Sequence, residues 1–337
     1  MANIKDVAKA AGVSTSTVSR TINNSPSIPQ ETKDRILSIM KSLNYTPNQF
    51  AKSLTTNKSY TITLLVDVDD AESYQNPFFY EIMHGIEKQV YSKEYSFIVA
   101  NLKTVMKKQS VMDWLIKSKR TEGVILPSSM LDAKTVESLK QDNVPFVLIG
   151  EPVHLKEAIT WVDIDNRRGA EIATLSLIEK GYKRIGFLGL DQSKLFSQRR
   201  YEGYLSALKA MYIDFDEDLI VKCLNTKEQG YHQTKALLSL NNRPDAIICA
   251  DGELSYGVIK AIKEANLNIP EDFGLISYDD PKIAELSYPM ISTVNVDVYE
   301  MGVQCAKLLF DQIENHQSKN QGILISTSLY ERETTRK

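Results

Sequence analysis

The sequence predicts an α/β protein, with an all-α head at the N-terminus followed by two doubly wound parallel-sheet lobes. Three observations lead there. Residues 4–20 read as two short helices around a glycine turn, and beyond residue 60 short β-rich runs alternate with helical segments. The chain has 337 residues. Behind a small head that leaves about 275 residues, enough for two packed lobes.

In the head, Ile4, Val7, Ala8 and Ala11 recur at helical spacing and give a first helix one apolar stripe, with small Ala8 where a second helix can cross closely. Gly12 tolerates the left-handed backbone that ends this helix. Val13 plugs the space between helices, and Ser14 offers an N-cap oxygen to the amide of Ser16 or Thr17. A second helix therefore starts at Thr15. Its Val18 and Ile22 face inward, which leaves Thr15, Ser16, Thr17, Ser19 and Arg20 on the outer surface. Short hydroxyls bond phosphates or base edges, and an arginine can bond O6 and N7 of guanine together. That is the chemistry of a helix built to enter a DNA major groove. The competing reading is a solvated helix in an ordinary helical domain.

A third helix is expected from about Glu31 to Leu43, with Ile36, Met40 and Leu43 on one face and Asn44-Tyr45-Thr46-Pro47 as its stop. The segment Pro47 to Leu54 then has room for only two helical turns. A helix that short is marginal in water and needs an outside partner. Thr55 to Ser59 reads as a polar linker.

Charge divides the chain at the same place. Residues 1–60 carry eight Lys/Arg against three Asp/Glu, whereas the remainder carries 32 against 40, and the whole chain is net −3. A basic head on an acidic body suits phosphate binding by the head alone. The chain starts on an amphipathic helix rather than a signal sequence, and no apolar run approaches membrane-spanning length, so a cytoplasmic protein without a membrane partner is expected. Cys223, Cys249 and Cys305 are few, odd in number and far apart, which suggests reduced core thiols. His84, His154, His232 and His316 lack metal-ligand spacing, and no metal or cofactor is expected. Gly186-Phe187-Leu188-Gly189 is not a dinucleotide loop, and neither a P-loop nor a nucleophile elbow is present, so no enzyme is expected.

In the body, strands are expected at Thr61 to Val68, Tyr95 to Ala100, Gly123 to Leu126, Pro145 to Ile149, Arg184 to Leu188, Ala246 to Cys249 and Phe273 to Tyr278. Between them, Phe78 to Gln89, Arg167 to Lys180, Tyr201 to Met211 and Tyr256 to Ala265 read as helices. Strands alternating with helices in this way signal parallel sheets with crossover helices.

These residues resemble the lactose-repressor (LacI/GalR) family, whose D-V-A-x-x-A-G-V-S-x-x-T-V-S-R signature stands at Asp6 to Arg20. The family's L-N-Y-x-P-N-x-x-A-x-x-L hinge is matched at Leu43 to Leu54. The resemblance implies that Thr15, Ser16 and Arg20 read bases, and that Asn48, Ala51 and Leu54 lie on a hinge helix that folds in the minor groove. Leu54 would then be the wedge that opens a central base step. Pro29 departs from the family's usual capping serine, but proline is tolerated near a helix start.

The body is similar to the family's effector domain, two lobes of periplasmic-binding-protein type joined by crossing strands. The matching segments are Asp163 to Asn166, Gly181 to Phe187, Arg200 to Tyr204 and Ile276 to Asp280. The implied division is 1–46 for the helix-turn-helix, 47–60 for hinge and linker, 61–162 plus 289–337 for lobe one, and 163–288 for lobe two. Ligands of such sheets bind outside the carboxyl ends of the strands, here the cleft between lobes. Phe78, Phe79, Arg200, Asp251 and Asp279 match positions that would line it. Aromatic faces suit the C–H face of a sugar, and Arg200, taken to open a helix, could bond two vicinal hydroxyls. For the two phenylalanines the competing role is core packing; for the three charged residues it is a structural ion pair.

Three departures bear on the ligand. Ala250-Asp251-Gly252 replaces the common A-N-D, and Asn225 falls where relatives often stack an aromatic. Gly150-Glu151 replaces the Asp-aromatic pair of purine-responsive relatives. The run Tyr74-Gln75-Asn76-Pro77-Phe78-Phe79 looks most like the maltose-operon repressor branch. The resulting expectation is a homodimeric repressor on a pseudo-palindromic double-stranded operator, released by a sugar such as maltose or a related α-glucoside. The alternatives are a regulator answering to another sugar, a nucleobase or a protein co-repressor, and a sugar-binding transport receptor.

Overall fold

The computed structural model describes residues 2–47, 53, 56, 58–66, 77–106, 109–278, 281–315 and 317–336. The chain divides into two compact units, 1–60 and 61–337.

The first unit packs three helices, α1 (Ile4–Ala11), α2 (Thr15–Ile22) and α3 (Gln30–Ser42), around Val7, Ala8, Ala11, Val18, Ile36 and Met40. Each end of α1 is closed by its own sequence. Asn3 caps the amides of Lys5 and Asp6 while the Asp6 carboxylate accepts from the Asn3 amide at 2.9 Å, a reciprocal capping box. Gly12, at φ 66°, turns the chain into α2, and the Val13 amide reaches back to the Ala8 carbonyl at 3.0 Å. Pro29 precedes α3 with φ −60°, a preset geometry that needs no side-chain cap. Leu43, expected on the buried face of α3, lies just past the helix and is largely exposed, because the chain there turns away through Asn44 at φ 48°.

The second unit contains two six-stranded sheets. Lobe one carries the order β11-β5-β4-β3-β1-β2 and lobe two the order β12-β10-β9-β8-β6-β7, numbered along the chain. The lobe-one strands are β1 (Thr61–Val66), β2 (Ser96–Asn101), β3 (Gly123–Pro127), β4 (Phe146–Ile149), β5 (Trp161–Ile164) and β11 (Gly322–Ile325), all parallel. Lobe two uses β6 (Ile185–Leu188), β7 (Ile220–Val221), β8 (Ala246–Cys249), β9 (Gly274–Tyr278), β10 (Ser292–Val296) and an antiparallel edge, β12 (Thr327–Tyr330). Central strands such as Thr61–Val66 and Ala246–Cys249 are buried at every residue, as strands covered on both faces must be.

Helices cover both faces. In lobe one, α4 (Pro77–Ser92) lies against α12 (Val298–Glu314), with Gly85 and Gly302 at the crossing; a methyl at either would overlap the carbonyl of Tyr299 or Ile82. Lobe two pairs α7 (Asn166–Glu179) with α8 (Leu195–Ala210), and α9 (Lys227–Leu238) with α10 (Gly252–Glu264).

Two further expectations are corrected. The lobe-one return over 289–337 is split: β10 pairs in parallel with β9, β12 lies antiparallel beside it, and the Thr334 backbone and hydroxyl bond Leu275, so these segments belong to the lobe-two sheet. Only α12 and β11 return to lobe one. The helix expected to begin at Tyr201 begins at Leu195, which moves Arg200 from the first residue to the second turn; its N-cap, Lys194, makes no side-chain cap and so leaves no start signal in the sequence.

Candidate DNA-reading helix and effector cleft

Helix α2 is held by its N-cap. Ser14 Oγ accepts from the Thr17 amide at 3.1 Å and lies 2.9 Å from the Thr17 hydroxyl. Val18 and Thr21 are buried, while Thr15, Ser16 and Arg20 are exposed and Thr17 and Ser19 are half-buried. At about 100° per residue, Ser16 and Arg20 stand one turn apart on one side of α2, and Thr15 projects from the first turn in a different direction. Thr17 differs from the other three expected contacts in that its hydroxyl also lies against the Ser14 cap. Behind α2, the Lys33 ammonium reaches Asn24 Oδ1 at 2.8 Å and ties α3 to the turn after the reading helix. Asn48, Ala51 and Leu54 lie outside the described residues.

In lobe two, the carboxyl ends of β8 and β9 converge on Arg200. Arg200 is 5 % exposed, and its guanidinium stacks 3.8 Å from the centre of the ring of Tyr278, the last residue of β9. Nε donates to Asn166 Oδ1 at 2.8 Å and Nη1 to the carbonyl of Ala250, which follows β8. The Tyr278 hydroxyl donates to the Asn166 carbonyl at 3.1 Å, so one guanidinium ties α7, α8, β8 and β9 together. Asp251, half-buried beside Ala250, caps α10 by accepting from the Glu253 amide at 3.0 Å. Asn225, past β7, has a buried Oδ1 with no hydrogen-bond partner, and an added Cβ at Gly189, past β6, would lie 2.9 Å from it. Asp279 lies outside the described residues.

The remaining described candidates belong to lobe one. Phe79 is half-buried and packs against the core, consistent with its structural alternative, while Phe78 is 40 % exposed at the start of α4. Glu151 follows β4 and is buried, its amide donating to Asp163 Oδ2 at 2.9 Å. Arg199 of lobe two reaches this carboxylate with both Nε and Nη2 at 3.0 Å, and Lys156 binds it from the same loop. Burial pushes the Glu151 carboxyl up, but the hydrogen bonds from Arg199 and Lys156 override this and hold it below the usual glutamate range. The Arg199 guanidinium is correspondingly pushed up by Glu151 and Glu202. Desolvation raises Asp163, which accepts from the amides of Glu151 and Ile164.

The structure thus gathers Arg200 and Asp251 at the strand ends of lobe two and leaves Phe78 exposed at the α4 start. Residues that the sequence reading did not assign are Asn166, Tyr278 and the Glu151–Arg199 pair. Burial pushes the Cys223 thiol up to about 11 and raises those of Cys249 and Cys305 as well. Among the described residues no cluster of His, Cys, Asp and Glu could hold a metal ion, and no helix is long and apolar enough to cross a membrane.

Comparison with known proteins places both units. Residues 3–48 match the model of bacterial regulatory proteins of the lacI family, and residues 174–335 match a periplasmic binding protein-like domain. The HTH-type transcriptional repressor PurR of Mannheimia succiniciproducens is 32 % identical over 340 residues, covering 100 % of this chain and 99 % of the relative. The chain belongs to the LacI family. A relative from Bacillus subtilis described as a probable HTH-type transcriptional repressor, ExuR, is also 32 % identical, with the same coverage of 100 % and 99 %. Among solved structures, a complex of the transcriptional regulator CelR with cellobiose is similar at 27 % identity, with a TM-score of 0.74 over 99 % of this chain and 100 % of that one. This LacI-family chain is a DNA-binding transcriptional repressor and not an enzyme.

Proposed function

We propose that this repressor binds a pseudo-palindromic operator as a homodimer and is released from it by a neutral sugar held between the two lobes. Arg200 carries this reading. A buried guanidinium at the carboxyl ends of β8 and β9 stands where α/β sheets bind ligands, and its planar fork suits vicinal hydroxyls. Asp251 and Asp279 would accept hydroxyl protons, Asn225 Oδ1 offers one more acceptor, and Phe78 with Phe79 would face the C–H side of the ring. The cellobiose bound by the CelR relative supports a ligand of disaccharide size. Maltose or a related α-glucoside is our first candidate, acting as inducer.

In the head, Thr15, Ser16 and Arg20 would read bases and Thr17 would contact the backbone, with Asn48, Ala51 and Leu54 completing the grip from the hinge. A two-fold operator calls for a two-fold protein, so the minimum unit would be a homodimer formed by the lobes. A cytoplasmic site of action fits a DNA ligand.

Calorimetry with maltose, cellobiose, other sugars and nucleobases, paired with mobility shifts on DNA from upstream of the protein's own coding sequence, tests this. Sugar binding that weakens the DNA complex is expected. Binding of a purine and no sugar would reject the ligand, and tighter DNA binding with sugar would reverse its sign.

A further inference from the structure

The two lobes meet across a charged contact that neither the reading helix nor the sugar site requires. Glu151 belongs to lobe one and follows β4, whereas Arg199 belongs to lobe two and sits in the second turn of α8. Their contact is two-pronged, with Nε to one carboxylate oxygen and Nη2 to the other, both at 3.0 Å. Such fork-on-fork pairs combine charge with a fixed plane, so they discriminate between lobe positions more sharply than a single ion pair does. Each partner is also held in place from its own side. Glu151 is bound by Lys156, whose carbonyl accepts from Trp161 Nε1 at 3.2 Å, and its amide is fixed to Asp163. Arg199 is braced on its own helix by Glu202 at 2.9 Å. The Glu151 side chain is 6 % exposed and that of Arg199 34 %, so water screens this contact only partly.

We propose that Glu151 and Arg199 form an interlobe clasp that sets the balance between docked and separated lobes, and through it the affinity for effector. A docked cleft is the form in which a ligand touches both rims. The clasp therefore adds to ligand affinity without touching the ligand, because apparent affinity scales with the fraction of molecules already docked. Arg200, one residue on, points to the lobe-two strands instead, so adjacent arginines divide the work between lobe docking and the ligand site. The affinity part of this proposal rests on the sugar reading, while the lobe-docking part does not.

The test labels Lys140→Cys in lobe one and Lys209→Cys in lobe two with a donor–acceptor dye pair, in labelled protomers diluted into unlabelled full-length protein. Without effector, Glu151→Gln and Arg199→Gln should each lower the docked-to-separated ratio about tenfold, as loss of a partly screened charge-assisted pair implies. The double variant should be no worse than the more affected single, since both remove the same contact. Glu314→Gln, which breaks an exposed ion pair with Lys93 within lobe one and touches no part of the clasp, should leave the ratio near wild type. Should Glu151→Gln fail to fold, Arg199→Lys keeps the charge without the fork and should shift the ratio the same way by less. A distance distribution unchanged in Glu151→Gln, or effects that multiply in the double variant, would overturn the clasp. With maltose as probe, Glu151→Gln should weaken binding as its docked population falls. If wild type binds no sugar but the lobes still separate in Glu151→Gln, the clasp stands and the sugar reading alone fails.

Discussion

Replacing Arg200 with methionine removes the guanidinium while keeping a long apolar stem, and the structure allows the consequence to be worked out in parts. The change strands two acceptors in a buried setting, Asn166 Oδ1 and the Ala250 carbonyl, each worth about 1–3 kcal/mol when left without a donor. It also removes a cation stacked 3.8 Å from the Tyr278 ring, worth about 1–2 kcal/mol when desolvated. Against this, a charge no longer has to be buried, a gain of several kcal/mol. The losses total about 3–8 kcal/mol, and set against that gain they leave a net destabilisation of at most a few kcal/mol, read as a melting temperature lower by several degrees. Scanning calorimetry measures it. Below the transition, mobility shifts should show operator binding intact, and titration should show no effector response, giving a permanently repressing protein. An unchanged melting temperature would mean that the guanidinium does not organise lobe two. A retained sugar response would remove Arg200 from the ligand site.

Three further outcomes are expected. Arg20→Ala should lose about 1–3 kcal/mol of specific operator binding with relaxed discrimination, whereas equal loss on specific and random DNA in competition mobility shifts would indicate a phosphate contact. Thr21→Val should stabilise the head by about 1 kcal/mol in thermal unfolding, because Thr21 is buried and its Oγ1 has no hydrogen-bond partner. Glu151 has a folded-state value below its ordinary one, so its contribution to lobe docking is complete above the ordinary glutamate range and is lost as pH falls through the lowered value. The dye-pair distance should therefore grow on acidification in wild type, and Glu151→Gln should show no such transition.

Much of the head was legible because its signals are local. The Ala8 crossing, the Gly12 turn and the Ser14 cap all lie within a few residues of what they control, and each appears as the spacing implied. Most of the strands that were legible are apolar ones buried at every residue, such as Thr61–Val66 and Gly274–Tyr278, although Ser96–Asn101 was legible from its β-rich run while largely unburied. Short or alternating strands carry too little pattern. Ile220–Val221 has two residues, and Thr327–Tyr330 alternates half-buried with exposed positions as an edge strand does. Lobe membership of β10 and β12 was not readable at all, since it depends on which strand they pair with and not on their own residues.

The same distinction explains the cleft. A single buried arginine after a strand is visible in a sequence as a candidate, but its partners are fixed by where four elements end. Asn166 and Ala250 lie 34 and 50 residues from Arg200. Glu151 and Arg199 are 48 residues apart and in different lobes, and in the sequence the glutamate shows only as a departure from a family pattern. Its burial gives that departure a physical meaning. A carboxylate moved out of water needs a partner, and once Lys156 and Asp163 fix its position in lobe one, the strongest partner within reach is a guanidinium of the other lobe. Substituting Glu151 therefore acts on the relation between lobes before it acts on either lobe alone.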